Sequence, residues 1–145
     1  MISIQEVDEV SFPLIDEEPG LLAVYQSPDH VGFAIQRVFC VRADTGAVRG
    51  QHAHRQCSQL LVVLNGRVRV TCTDGAESKT FVLKGMERGV LIPPTIWAEQ
   101  IYEEENSVLM VICDRPYEAA DYIRDFGEFL AFRRFAEPTR MEAVA

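Results

Sequence analysis

The sequence predicts an all-β chain of the jelly-roll type, a sandwich or small barrel, and three observations predict it. Short β-rich segments follow one another at close spacing, joined by turns that contain glycine. Arg67-Val-Arg-Val-Thr-Cys-Thr73 alternates polar and apolar residues, which is the period of a half-buried strand. No long central helix interrupts this pattern, and only the C-terminal end reads as helical.

Each element has its own signal. Phe33 to Val41 is rich in β-branched and aromatic residues and reads as a strand. His52 and His54 follow on another. Gln59 to Leu64 is a short apolar run that ends at Asn65-Gly66, a strong hairpin signal. After the alternating strand, Asp74-Gly75 marks a second tight turn. Further strands are expected at Ser78–Leu83, Gly89–Ile92, Ile96–Tyr102 and Ser107–Cys113. From Ala119 to about Arg134, Tyr122, Phe126, Phe129 and Leu130 fall at i, i+4, i+7 and i+8, the spacing of an amphipathic helix. Such a helix packs across the outside of the sheet or against a neighbouring subunit, and Gly127 weakens it by about 1 kcal/mol relative to alanine. Residues 1–135 are expected to form a single domain, and residues 136–145, which include Pro138, a frayed tail.

The totals exclude several classes of function. Of 145 residues, 48% are hydrophobic and 25% charged, the balance of a globular chain. No apolar run approaches the roughly 20 residues that span a bilayer, and the N-terminus lacks the basic head and apolar stretch of a signal peptide. A cytoplasmic location is the expectation. The net charge of −8 argues against nucleic acid or an anionic membrane as partner, because both select a basic surface. One anionic ligand held by a few local arginines stays compatible with it. Cys40, Cys57, Cys72 and Cys113 are scattered without a C-x-x-C pair, so they read as small buried hydrophobes rather than a zinc site or disulfide frame.

The chemistry concentrates in the histidines. His52 and His54 lie one residue apart on a strand, so both side chains project from the same face. The arrangement Gly46-x5-His52-x-His54-x4-Gln59-x6-Gly66 resembles the first motif of the cupin superfamily, with one substitution. Metal-binding cupins usually carry Glu where Gln59 stands, and another His from a second motif about two strands later. The corresponding stretch here, Gly89 to Glu99, has no histidine, and His30 lies upstream in a Pro28-Asp29-His30 loop. Two imidazoles and a neutral amide make a weak site for a divalent ion, although Glu99 offers a carboxylate nearby. Proton transfer suits the pair better, since histidine titrates near neutrality.

Five further segments, in order, extend the resemblance. Ile35-Gln-Arg37-Val-Phe39, Arg49-Gly-Gln-His52-Ala-His54, Gln59 to Gly66, Pro93-Pro94-Thr-Ile-Trp97 and Ala120-Asp121-Tyr122-Ile123-Arg124-Asp125-Phe126 are similar to the nucleotide-sugar 3,4-ketoisomerases, the FdtA-like or WxcM-like cupins. The similarity runs over roughly residues 15 to 132. It implies a cupin jelly-roll homodimer that exchanges N-terminal strands, and a dTDP-linked 4-keto-6-deoxyhexose as substrate. The implied product is the 3-keto sugar, and no metal or nucleotide cofactor is expected.

Moving a carbonyl from C4 to C3 needs removal of the acidified C3 proton, stabilisation of an enediol and reprotonation at C4. On this reading His54 is the principal base and His52 its partner in proton shuttling. Arg37, Arg49, Gln59 and Glu99 are the candidate substrate-binding residues, the arginines for diphosphate or sugar oxygens. Tyr122 and Arg124 lock the helix onto the barrel.

The chain also departs from the family. Ala98 stands where members show histidine or arginine, Phe39 and Cys40 where others carry tyrosines, and Pro19-Gly20 where many have Arg-Gly. The loss of polar groups from the sugar end implies a different sugar, a different nucleotide, or binding without turnover. A non-catalytic nucleotide-sugar-binding cupin and a 3/5-epimerase of dTDP-sugars stay open as alternatives.

Overall fold

The computed structural model describes residues 1–135. Its strands are β1 (Asp8–Ser11), β2 (Leu14–Glu17), β3 (Gly20–Ala23), β4 (Arg37–Ala43), β5 (Val48–His54), β6 (Gln59–Asn65), β7 (Val68–Thr73), β8 (Ser78–Leu83), β9 (Arg88–Ile92), β10 (Trp97–Tyr102), β11 (Ser107–Cys113) and β12 (Tyr122–Ile123). One helix, α1 (Phe126–Phe135), closes the described chain. The strands make two five-stranded antiparallel sheets, ordered β1-β9-β6-β11-β4 and β12-β5-β10-β7-β8, and a separate β2-β3 hairpin. The all-β jelly roll expected from the sequence is the fold observed.

Alternation decides which residues fill the space between the sheets. Leu61 and Val63 of β6, Val68, Val70 and Cys72 of β7, and Leu109 and Val111 of β11 pack there with Val90, Ile92 and Tyr102. Their outward neighbours Leu60 and Val62 are also buried, with Ile112, under Phe12 and Val31. That is why β6 reads as an unbroken apolar run: both of its faces are covered. Its hairpin to β7 turns at Gly66, where φ is 78° and a Cβ would meet the Cα of Ser107 at 2.9 Å, so only glycine fits.

Two expectations move. The strand expected from Phe33 begins instead at Arg37. The helix expected from Ala119 begins at Phe126; before it stand a 3-10 turn, Ala119–Asp121, and β12, whose Tyr122 and Ile123 pair with His54 and Ala53. Asp125 sets the start: its carboxylate accepts the Glu128 N–H at 2.8 Å and its carbonyl the Phe129 N–H at 2.9 Å, as an N-cap does. Helix α1 lies on the outer face of the second sheet, where Phe129 and Ile123 pack with Ala53 and Trp97. The frayed tail expected over 136–145 lies outside the described residues.

Candidate active site

The site begins with an irregularity in β5. Ala98 faces His52 but Glu99 faces Gly50, so Gln51 is an extra residue, a β-bulge, with φ of 57° beside Gly50 at 80°. A Cβ on Gly50 would meet the Gln100 side chain at 2.6 Å, so the missing side chain makes room for that amide. Gln51 turns outward and donates to Glu99 Oε2 at 3.2 Å. Beyond the bulge His52 and His54 point inward, and Ala53 between them points out to the helix.

The ring nitrogens are assigned by their acceptors. A carbonyl only accepts, so His52 donates Nδ1–H to the Gly50 oxygen at 3.0 Å. His54 donates Nδ1–H to Asp121 Oδ2 at 2.9 Å. Asp121 itself is held by N–H groups of Gln56 at 2.7 Å and Cys57 at 3.3 Å. Nε2 of His54 is then the bare nitrogen, buried and without a partner among the described residues. The two rings stand at 89° with centroids 5.1 Å apart, and the Tyr122 ring lies 4.3 Å from His54 and 5.0 Å from His52.

Burial disfavours the charged form of both rings. It is the main cause that pushes His52 down to about 4, with His54 and Arg124 adding to it and the Gly50 carbonyl opposing. His54 is also lowered, first by burial and then by Arg124 and Arg37, against an upward pull from Asp121.

Below the pair a cleft with about 430 Å³ of empty space runs between the sheets. His52, Arg49, Gln59, Gln100 and Tyr102 form its polar wall, and Phe39, Val41 and Leu61 its apolar one. The Tyr102 hydroxyl is buried there without a protein partner among the described residues. Gln59 donates to Cys113 Sγ at 3.5 Å. Arg37 sits with its guanidinium 4.5 Å over the Phe39 ring and 5.0 Å over Tyr117.

The structure therefore brings His52, His54, Arg49 and Gln59 together, with Arg37 beside them over Phe39. Glu99 is a correction: between inward Ala98 and inward Gln100, the strand period turns it to the outer face, against Gln51. Cys40 is another, exposed on the outer face of β4 rather than buried or at the sugar end, whereas Phe39 does line the cleft. His30 accepts the Gln26 N–H at 3.0 Å and stays in its loop. Tyr122 stands on a strand against both histidines, not on the helix. Sequence reasoning missed Asp121, whose signal was only its membership of the D-Y-I-R-D segment.

His54, Cys57 and Asp121 place ligand-type atoms within 4.8 Å of one another. Their chemistry does not suit a metal. Asp121 already accepts three N–H groups, and the hydrogen bond with Cys113 together with burial pushes the Cys57 thiol far up, away from the thiolate a metal binds.

A jelly roll with an aspartate-oriented histidine over a mixed polar and apolar cleft defines a cupin built for acid–base chemistry. The chain belongs to the FdtA family (WxcM-like, C-terminal), whose model matches residues 5–134. It is 31% identical over 121 residues to the TDP-4-oxo-6-deoxy-alpha-D-glucose-3,4-oxoisomerase of Aneurinibacillus thermoaerophilus, covering 83% of this chain and 87% of that protein. The sugar 3,4-ketoisomerase QdtA of Thermoanaerobacterium thermosaccharolyticum, solved in complex with TDP, superposes with a TM-score of 0.87 at 27% identity, over 92% of this chain and 98% of that one. A histidine-to-asparagine mutant of QdtA, in complex with TDP-4-keto-6-deoxyglucose, also gives 0.87 at 26% identity, over 93% of this chain and 99% of that one.

Proposed function

We propose that the chain is an isomerase that moves the carbonyl of a TDP-linked 4-keto-6-deoxyhexose from C4 to C3. The observation that carries this reading is His54, fixed at Nδ1 by Asp121 and bare at Nε2. A neutral imidazole in that tautomer is a general base, and the carboxylate stabilises the imidazolium that forms when it takes a proton.

His54 removes the C3 proton, and its electron pair becomes the C3–C4 double bond while the C4 oxygen takes up negative charge. The O3 proton passes to O4 through His52, whose Nε2 is free to accept and return it. His54 then returns its proton to C4, leaving the ketone at C3. Arg49 and Gln59, on the cleft wall beside His52, serve the sugar oxygens, and Arg37 serves the diphosphate. Phe39 gives the cleft apolar surface, which selects the sugar by what it does not bond.

The chain works as a homodimer, on this reading. Leu14, Ile15, Leu21 and Leu22 of the β2-β3 hairpin are all exposed in one copy, an apolar surface that exchange of N-terminal strands would cover. We place it in the cytoplasm, where nucleotide sugars are assembled from nucleoside triphosphates.

Incubation with TDP-4-keto-6-deoxyglucose in D2O, followed by NMR, tests the activity. A new C3 ketone is expected, with deuterium at C4 in those turnovers where the proton on His54 exchanges with solvent before it is returned. Label at C3 and C5 with no carbonyl migration would make the protein an epimerase, and saturable binding without exchange a binding module.

A further inference from the structure

Helix α1 carries Arg133 one turn beyond Phe129, on the face that meets the second sheet, and buries it there while Glu128 and Arg134 are exposed. A buried cation is costly unless it is bonded. No carboxylate pairs with this one among the described residues. Its stem lies over the β7–β8 turn, where a Cβ on Gly75 would stand 3.9 Å from its Cγ. Its Nη1 donates to the Thr95 carbonyl at 2.9 Å and to Thr95 Oγ1 at 3.3 Å, while Nε is buried without a partner among the described residues. Both bonds go to one residue.

Thr95 stands in the turn between β9 and β10 with φ of 72°. A β-branched residue disfavours that left-handed region and keeps it only where its surroundings impose it. In this conformation its N–H reaches the His54 carbonyl at 2.6 Å. The contact falls where β5 runs out of partners. On the β12 edge the Arg55 N–H donates to the Asp121 carbonyl at 2.9 Å, so His54 and Tyr122 are a non-hydrogen-bonded pair. The His54 carbonyl therefore points to the β10 edge, where the ladder has already ended at Ala98 and His52. Thr95 supplies the donor that the ladder no longer does.

We infer, taking His54 as the base of the isomerase reading, that Arg133 is a positioning residue: from the outer face of the sheet it clamps Thr95 in its left-handed turn, and Thr95 in turn fixes the backbone of His54. Arg133 is not among the residues that line the cleft. Without the clamp Thr95 relaxes to negative φ, its N–H leaves the His54 carbonyl, and the end of β5 carries the imidazole away from the carbon it serves. A displacement of about 1 Å at a reacting group costs on the order of 100-fold in rate.

The test uses the full chain. Arg133→Gln is expected to lower kcat for carbonyl migration about 10- to 100-fold, with KM and TDP affinity unchanged. Glycine adopts positive φ without a steric penalty, so Thr95→Gly makes the clamp dispensable. In that background Arg133→Gln should cost less than about 2-fold in kcat, whereas an arginine that only fastened the helix would cost the same in both. Hydrogen exchange followed by NMR reads the same chain of contacts without turnover. Protection of the residue 95 amide should fall in Arg133→Gln and return in the double variant. Arg133→Lys, which keeps the charge but not the fork, gives a smaller loss of the same kind should Arg133→Gln fail to fold. Unchanged kcat in the arginine variants would overturn the inference, as would an equal loss in the two backgrounds. A wild type that moves no carbonyl, with the amide responding as expected, would sink the isomerase reading alone. Turnover beside an amide indifferent to Arg133 would sink only the clamp.

Discussion

Asp121 decides which nitrogen of His54 is available, so its loss is a loss of tautomer as much as of charge. Asp121→Asn keeps an oxygen for the N–H of Gln56 or Cys57 but offers the imidazole a neutral partner. We expect kcat to fall by about 100- to 10,000-fold with KM little changed, as for other oriented histidine bases, read from steady-state kinetics of carbonyl migration. His54→Asn should abolish turnover yet leave TDP binding in place, which calorimetry would show. The histidines themselves were legible, since an H-x-H pair on a strand needs only the period of two. Asp121 was not, because no local pattern ties it to a residue 67 positions away. Tyr122 was hidden differently: its spacing to Phe126 and Phe129 mimics a helix face, although the chain is extended there.

Periodicity also divides the elements into those the sequence announced and those it concealed. β6, β7, β10 and β11 were visible because covered faces demand apolar residues at fixed intervals. β2 and β3 have almost no buried side chains in one copy, so no period marks them. The start of α1 did leave a trace, since Asp125 followed by Glu128 is the D-x-x-E pattern of a helix entrance. Once begun, the helix is held by Phe129, which is fully buried against the second sheet. Phe129→Ala should cost about 3–5 kcal/mol, measured by urea unfolding, the range for emptying a buried aromatic position. Phe126→Ala, at a half-open position on the same face, should cost much less.

Across the whole molecule, the lowered titration of buried His52 couples stability to pH. The unfolded chain protonates at His52 near the ordinary 6.5, whereas the folded chain resists until about 4. Between those values the unfolded state binds more protons, so this contribution is complete above 6.5 and is lost as the pH falls through the window. The melting temperature of the wild type should therefore drop more between pH 6.5 and 4 than that of His52→Gln. The assembly has its own test. Light scattering should give twice the chain mass, and Leu21→Glu with Leu22→Glu, which charges the exposed hairpin, should give one chain mass.

The residue between the two histidines turns outward, and its surroundings reach further than the cleft. Ala53 has no exposed surface and is gripped by Phe129, Trp97 and Ile123. Anything larger at that position has to push the helix away or push the strand inward, and the strand carries both imidazoles. The outer helix is thus a lever on the reacting atoms. A single methyl-sized wedge on the back of the sheet could detune the enzyme without altering any group that meets the sugar.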